Sequence, residues 1–218
     1  MLLDPLELEL RPLLRGEIDP RVIVEYGLPA YKRYQLGRQP YVVRRIRKLW
    51  SQVARSRLVQ AEDYLCLGTF QETETYRFLE QLWQSDLDYR NVDRYREFTR
   101  RIAEGETIKL RSKRRRMSSA ADLDAYFADY VDLLRSMREK GYVATGASDR
   151  IMIMIDRRGG IMKETKGRHR LAAAQIAGVR SVPVKISHVH AAWVDAQEGT
   201  GKLDKTRKAI ERALAAAG

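Results

Sequence analysis

Apolar residues recur every three or four positions over much of the first half of the chain, a spacing typical of amphipathic helices. Such stripes occur between residues 42 and 53, between 76 and 83, and between 92 and 102. The aromatic residues on these stripes are interpreted as core residues. The pattern therefore predicts a mainly helical region over residues 1–110.

A dense run of basic residues interrupts this pattern and is predicted to be a solvated linker over residues 111–118. A long helix is predicted next, because Ser119 and Asp122 fit a capping box and an apolar stripe extends from Leu123 to Met137. Gly141 fits the left-handed position that ends many helices.

From residue 151 the pattern changes to that of short strands. Residues 151–155 are all apolar, which suits a strand buried on both faces, and the paired glycines within residues 156–160 fit a hairpin turn. A returning strand over 161–165, a short helix over 171–177 and a further strand over 182–186 are expected to follow. Residues 119–190 are therefore predicted to form a small α/β (α+β) domain with a mixed sheet, before a helical tail over 191–218.

Composition narrows the choice of partner. The net charge of +12 predicts attraction to nucleic acid, to a phosphorylated small molecule or to an acidic membrane face. The single cysteine, Cys66, excludes an intramolecular disulfide and is interpreted, in its apolar setting, as an inert core thiol. A cytoplasmic location is expected, because no apolar run is long enough to cross a bilayer and the N-terminus lacks a basic leader.

The most specific chemical pattern is Gly167-Arg-His-Arg170, at the predicted start of the short helix. The first amides of a helix have no intrahelical acceptor and carry partial positive charge, so they bind anions. Gly167 permits close approach of the backbone, while Arg168, His169 and Arg170 add side-chain donors. The pattern therefore predicts either a phosphate-binding turn or a solvated helix start whose arginines face outward.

The stretch from about Tyr130 to Ile186 resembles the N-terminal domain of the ParB/sulfiredoxin superfamily. It has a long helix ending in Leu134-Arg-Ser-Met-Arg-Glu-Lys-Gly141, a strand, a hairpin, a basic Gly-x-x-Arg turn, an alanine-rich helix, Ala-Gly and Val-Pro-Val. In that superfamily the basic turn binds nucleotide phosphates, CTP in ParB-type switches and ATP in sulfiredoxins and free-serine kinases. The resemblance implies that Lys166, Gly167, Arg168, His169 and Arg170 hold a nucleotide.

Three departures from the superfamily restrict the activity that this resemblance implies. Arg168 stands where sulfiredoxins have their catalytic cysteine, which argues against sulfinic acid reduction. Lys166 stands where the serine kinases have an aspartate, although a lysine can serve a phosphate as a point charge. About thirty residues follow Ile186, too few for the helix-turn-helix domain of a partition protein.

Phosphoryl transfer also needs an acid to bind magnesium or to orient the attacking hydroxyl. Asp156 is the candidate catalytic residue because it ends the buried strand, although a turn position explains it equally well. Glu164 is the other acid near the turn. His188 and His190 are expected to contact substrate or phosphate, or to satisfy the backbone. With His169 they suggest a metal site that no carboxylate or cysteine motif completes.

The sequence thus supports two main functions. The first is nucleotide binding, with ATP or CTP and Mg²⁺ as cofactors and a kinase of a small hydroxyl-bearing molecule as its enzymatic form. The alternative is a nucleic-acid-associated protein, either a nucleotide-gated clamp or a ParB-like nuclease. Its expected contacts are the basic helix from Arg44 to Arg57 and Arg111, Lys113, Arg114, Arg115 and Arg116. A third possibility is that the helix over residues 41–59 lies on an anionic membrane.

Overall fold

The computed structural model describes residues 5–29, 32, 57–110, 115–144 and 150–218. These residues form seven α-helices and nine β-strands. The helices are α1 (Pro5–Glu9), α2 (Glu74–Gln84), α3 (Asp93–Ala103), α4 (Ala120–Lys140), α5 (Arg168–Ile176), α6 (Ala191–Asp195) and α7 (Gly201–Ala215). The strands are β1 (Arg15–Ile18), β2 (Glu25–Leu28), β3 (Val59–Gln60), β4 (Leu65–Thr69), β5 (Ile108–Leu110), β6 (Arg115–Met117), β7 (Ile151–Ile155), β8 (Ile161–Lys163) and β9 (Val182–His190).

The chain divides into two compact units. The first comprises Met1–Gln71, Ala144–Arg168 and Arg180–Gly218, and the second comprises Glu72–Val143 and His169–Val179. The boundary between the units falls within helix α5, because Arg168 belongs to the first unit and the rest of the helix belongs to the second. Within the described ranges, none of the helices combines the length and apolar content needed to cross a bilayer.

The first unit is built on a mixed sheet with the strand order β1-β9-β7-β8-β2-β4, and β3 pairs with the end of β9. Strand β7 lies at its centre, and Ile151, Ile153, Met154 and Ile155 are completely buried, as the apolar run predicts. Strands β7 and β8 form the expected antiparallel hairpin. Strands β7 and β9 are parallel, so β8 and α5 together form the connection between them.

The second unit contains helices packed around aromatic residues. Helix α4 begins with the predicted capping box, in which Ser119 and Asp122 exchange hydrogen bonds, and ends at Gly141 with a φ of 69°. Its buried face carries Tyr126, Phe127 and Tyr130, and the ring of Phe127 contacts that of Phe78 on α2 edge to face. The expected long helix over the 119–141 stretch is thus confirmed.

The described residues of the first part of the chain contain strands β1 to β5 as well as helices α1 to α3, and these strands were not predicted. Strands β1 and β2 join β9 and β8 respectively, so segments near the N-terminus complete the sheet formed by residues 151–190. The expected linker is also partly a strand, because β6 pairs with β5 in a separate two-stranded ribbon. Of the predicted basic helix over residues 41–59, residues 41–56 lie outside the described residues. Arg57 is described and exposed, and it precedes β3.

Candidate functional site

The predicted phosphate-binding turn connects the last residue of β8, Lys163, to the first residue of α5, Arg168. We call residues 164–168 the β8–α5 turn. It lies beside the start of β7, because the amide of Met152 donates to the carbonyl oxygen of Lys166 over 3.2 Å. The turn therefore occupies the edge of the sheet at which β7 begins and β8 ends.

Lys163 lies beneath this turn and is fully buried. Its Nζ donates to the carbonyl oxygen of Met152 over 2.9 Å, and also to the carbonyl oxygens of Glu164 and Lys166. The pKa of Lys163 is lowered from 10.5 to about 7, chiefly by burial; the nearby charge of Glu164 opposes this shift, and those of Arg168 and Lys32 add to it. A buried amine with three carbonyl partners thus fixes the path of the turn.

Glu164 is a buried carboxylate at the beginning of the turn. One of its oxygens accepts from Lys32 Nζ and, over 2.8 Å, from Thr165 Oγ1, while the other accepts from the amide of Lys166 over 3.3 Å. Burial alone would raise its pKa, but the charge and hydrogen bond of Lys32 and the two other donors outweigh burial and lower it to about 2. Glu164 is therefore ionised at neutral pH.

Gly167 is the residue that lets the turn enter α5. Its φ is +80°, a conformation that L residues rarely adopt, and a Cβ there would lie 3.0 Å from Ile151 Cα and 3.1 Å from the carbonyl oxygen of Arg150. Both the backbone conformation and the lack of space favour glycine at this position. The expected close approach at Gly167 is thus to the protein's own strand β7.

The basic side chains of the predicted site face different surroundings. Arg168 is half-buried, and its Nη1 donates to Tyr26 Oη over 3.4 Å, whereas Lys166 is exposed. His169 lies in the second unit, where its ring is 5.1 Å from that of Tyr130 and its Nε2 is 3.5 Å from Tyr130 Oη. Arg170 is half-buried in the same unit. Lys166, Gly167 and Arg168 are thus the predicted residues that belong to the turn within the first unit.

The structure does not bring Asp156 to the β8–α5 turn. Asp156 follows the end of β7, and five residues at 3.3 Å each place it about 16 Å along the strand from Ile151. Its Oδ1 accepts from the amides of Arg158 over 2.7 Å and Gly160 over 2.8 Å, which stabilises the hairpin turn. The catalytic role of Asp156 therefore stays a prediction that its placement does not support.

His188 and His190 lie within β9, near the end of the sheet that carries Asp156. His188 Nδ1 is 3.3 Å from the carbonyl oxygen of Arg57. His190 Nδ1 accepts from the amide of Ala192 at the start of α6, and its Nε2 is 3.2 Å from Asp63 Oδ1. The contacts of the two Nδ1 atoms are with the backbone, and His190 Nε2 lies beside a surface carboxylate without forming a hydrogen bond to it. No group of three or more potential metal-ligating side chains occurs in the described part of the chain.

A cleft of about 280 Å³ lies at this second edge of the sheet. It is lined by Glu25, Asp63, Tyr64, Asp156, Arg157, Arg158, Met162 and His190. Both carboxylates and guanidinium groups line it, and Arg157 Nη1 lies 3.3 Å from Asp63 Oδ2. The mixed charge of this cleft distinguishes it from the basic surroundings of the β8–α5 turn.

The residues of the alternative nucleic-acid surface are only partly described. Lys109 on β5 lies directly opposite Arg116 on β6, and both side chains are exposed. The neighbouring pair, Ile108 and Met117, is buried. Arg115 belongs to β6 by its backbone, and Arg111, Lys113 and Arg114 lie outside the described residues. The ribbon thus carries a pair of like charges on its exposed surface.

Sequence reasoning missed three residues that shape the turn: Tyr26, Lys32 and Lys163. The signal for Lys163 was a lysine at the end of a short apolar strand, whereas nothing near Lys32 in the sequence indicates a contact with residue 164. The prediction of Cys66 as a core thiol is wrong, because Cys66 is exposed on β4.

Comparison of the chain with protein-family models, with curated proteins and with solved structures found no match. The fold and the site together define a mixed α/β protein with a basic turn at the start of a helix.

Proposed function

We propose that the protein binds a phosphorylated small ligand, with ATP or CTP as the leading candidates, at the β8–α5 turn. The observation that carries the proposal is the position of Lys163 beneath the turn. Because the C=O and N–H of a trans peptide point in opposite directions, carbonyls directed at Lys163 leave the amides of Thr165 and Gly167 directed away from it. Neither amide donates to an acceptor among the described residues.

Outward amides next to a helix N-terminus form an environment that favours negative charge. Exposed Lys166 adds a point charge beside these amides, and Arg168 offers a planar guanidinium that can hold two phosphate oxygens. His169 and Arg170 continue the same stretch of chain and remain predicted ligands. The net charge of +12 favours approach of a polyanion.

A kinase reaction is the finer form of this proposal. Magnesium is usually held by one or two carboxylates together with the phosphates themselves, so it would arrive with the nucleotide. Glu164 is the acid that lies at the turn, and it is already paired with Lys32. The geometry therefore supports phosphate binding more directly than phosphoryl transfer.

Calorimetric titration of the full chain with ATP, CTP and inorganic pyrophosphate, with and without Mg²⁺, tests the proposal. Loss of the Arg168 guanidinium in Arg168→Ala should weaken binding at least about tenfold, the value of one charge-assisted hydrogen bond. Arg157→Ala is the matched control, because Arg157 is an exposed arginine at the opposite edge of the sheet. Equal affinity in wild type and Arg168→Ala, or the absence of binding to all three probes, would contradict the proposal.

Nucleic-acid binding is a second candidate function, favoured by the ribbon of β5 and β6. Like charges directly opposite each other on neighbouring strands are destabilising, and an anionic partner would remove the repulsion between Lys109 and Arg116. A two-stranded ribbon is also a shape that fits the major groove of DNA.

Affinity for a random-sequence DNA duplex measured from 50 to 200 mM salt tests this second function. Phosphate contacts by Lys109 and Arg116 predict a steep loss of affinity with salt, and the double variant Lys109→Gln/Arg116→Gln should have a slope shallower by about two. An unchanged slope in the double variant would exclude the ribbon as the binding surface.

A further inference from the structure

The direction of two strands places Lys32 beside the β8–α5 turn. Strand β2 runs parallel to β8, with Tyr26 opposite Lys163, so both strands end at the same edge of the sheet. Lys32, which follows β2, and Glu164, which follows β8, therefore lie at this edge. Lys32 reaches Glu164 across a sequence separation of 132 residues, and both side chains are largely shielded from solvent.

Glu164 is shared between this lysine and the turn itself. One carboxylate separates the ammonium group of Lys32 from the amide of Lys166, because the two groups donate to different oxygens of Glu164. Thr165 Oγ1 and the Lys166 amide hold the carboxylate from the turn side. Lys32 is the partner of Glu164 with a long flexible stem, so it can change acceptor while Glu164 stays in place.

We propose that Lys32 is a further ligand of the phosphate bound at the β8–α5 turn, and that Lys32 stays paired with Glu164 until the phosphate is present. The inference rests on the proposed phosphate-binding function and adds a ligand from a distant segment of the chain. A doubly or triply charged phosphate competes with a singly charged carboxylate for one ammonium group. Glu164 thereby lowers the affinity for any anion and favours the most highly charged ones.

The charges of residues 32 and 164 decide whether each substitution strengthens or weakens ligand binding. Glu164→Gln removes the competing negative charge but keeps an amide oxygen that can accept from the Lys166 amide, so the attraction of residue 164 for Lys32 becomes weaker and the ligand competes with it more easily. Lys32→Met removes the ligand itself. The effect of Lys32→Met on binding should therefore be larger when residue 164 is glutamine than when it is glutamate, which is a non-additive pair of effects.

The experiment is a double-mutant cycle on the full chain with inorganic pyrophosphate and inorganic phosphate as probes, read by calorimetry. Glu164→Gln should tighten pyrophosphate binding about fivefold, and Lys32→Met should then weaken it at least about tenfold, as expected for a charge-assisted contact. In the wild-type background Lys32→Met should weaken binding about twofold, because the ligand must compete with Glu164 for this lysine. The gain from Glu164→Gln should be smaller for inorganic phosphate than for pyrophosphate.

Glu74 and Arg94 form a matched control pair, because they are also an ion pair between side chains distant in sequence. Glu74→Gln and Arg94→Met should leave pyrophosphate affinity unchanged. Additive effects of the Lys32 and Glu164 substitutions, or weaker binding in Glu164→Gln, would overturn the inference while leaving the phosphate site intact. If Glu164→Gln does not fold, equal affinity of Lys32→Met and Lys32→Arg would overturn it. If the wild-type protein binds none of the probes, that result would instead contradict the proposed phosphate-binding function.

Discussion

The side-chain nitrogen of Lys163 lies 2.9 Å from the carbonyl oxygen of Met152, so the last residue of β8 donates a hydrogen bond to the strand before it. The same nitrogen contacts the carbonyl oxygens of Glu164 and Lys166 in the turn that follows. One buried amine thus joins the central hairpin of the sheet to the start of α5. The stability of this connection depends on whether the amine carries a proton.

Comparison of wild type with Lys163→Met should show, through the pH dependence of the free energy of unfolding, whether Lys163 carries that proton. Burial lowers the pKa of Lys163 from 10.5 to about 7 in the folded chain, so between these values the unfolded chain binds the additional proton. The free energy of unfolding of wild type should therefore rise relative to Lys163→Met by roughly 1 kcal/mol per pH unit from pH 7 to 10. Urea denaturation of both proteins at pH 7, 8.5 and 10 measures it. A constant difference would show that the three carbonyls keep Lys163 protonated.

Glu164 should produce a pH dependence of the same sign in acid, because its pKa is also lower in the folded chain than in the unfolded one. Its pKa is lowered from 4.5 to about 2 by the balance of burial and its three donors, so its contribution to stability is present above pH 4.5 and lost as the pH falls towards 2. The difference between wild type and Glu164→Gln should shrink by up to about 3 kcal/mol over that window. Thermal unfolding between pH 5 and 2 tests this expectation, which a difference independent of pH would contradict.

Gly167→Ala should destabilise the protein more than the same substitution at a glycine that has a similar positive φ but free space around it. Gly178, which follows α5, has a φ of +69° with nothing within 4 Å of an added Cβ, so Gly178→Ala measures the cost of the conformation, about 1 kcal/mol. Gly167→Ala adds crowding against Ile151 and should cost about 2–4 kcal/mol in total. Chemical denaturation of both variants compares them. Equal losses would mean that β7 and the turn separate without cost.

Arg116→Glu should affect stability and nucleic-acid binding in opposite directions. An acid opposite Lys109 replaces cross-strand repulsion with attraction, which should raise the free energy of unfolding by about 0.5 kcal/mol. The same change should weaken DNA binding if the ribbon contacts phosphates. Arg180→Glu is the control, since Arg180 is exposed and lies outside the strands. A loss of stability in Arg116→Glu would show that another acid already neutralises the ribbon.

Local signals predicted the central elements of the fold. The apolar residues 151–155, the paired glycines at 159 and 160 and the capping box at Ser119 each act over a few residues, and each element formed where expected. Strands β1 and β2 were missed because they are four residues long, contain a glycine and have no clear alternation. They become strands by pairing with β9 and β8, more than a hundred residues away.

The candidate site also combines residues that local sequence predicted with residues that only the strand pairing brings together. The β8–α5 turn was predicted because its basic residues and glycine are consecutive in the sequence. Lys32 could not be predicted, because its place depends on the parallel pairing of β2 with β8. Asp156 was expected near the turn, but the direction of β7 places it at the opposite edge of the sheet. A strand direction is a property of the whole sheet and is not visible in one segment.

The pairing of β1 with β9 sets an order of events during synthesis on the ribosome. Arg15 lies opposite Lys185, and the amide of Asp19 donates to the carbonyl oxygen of Ala217. The first strand must therefore wait roughly 10 to 30 s for its partner at ordinary elongation rates. Residues 72–143 form a continuous stretch of the second unit and leave the ribosome during that interval. The nascent chain thus spends most of its synthesis with an unpaired N-terminal strand.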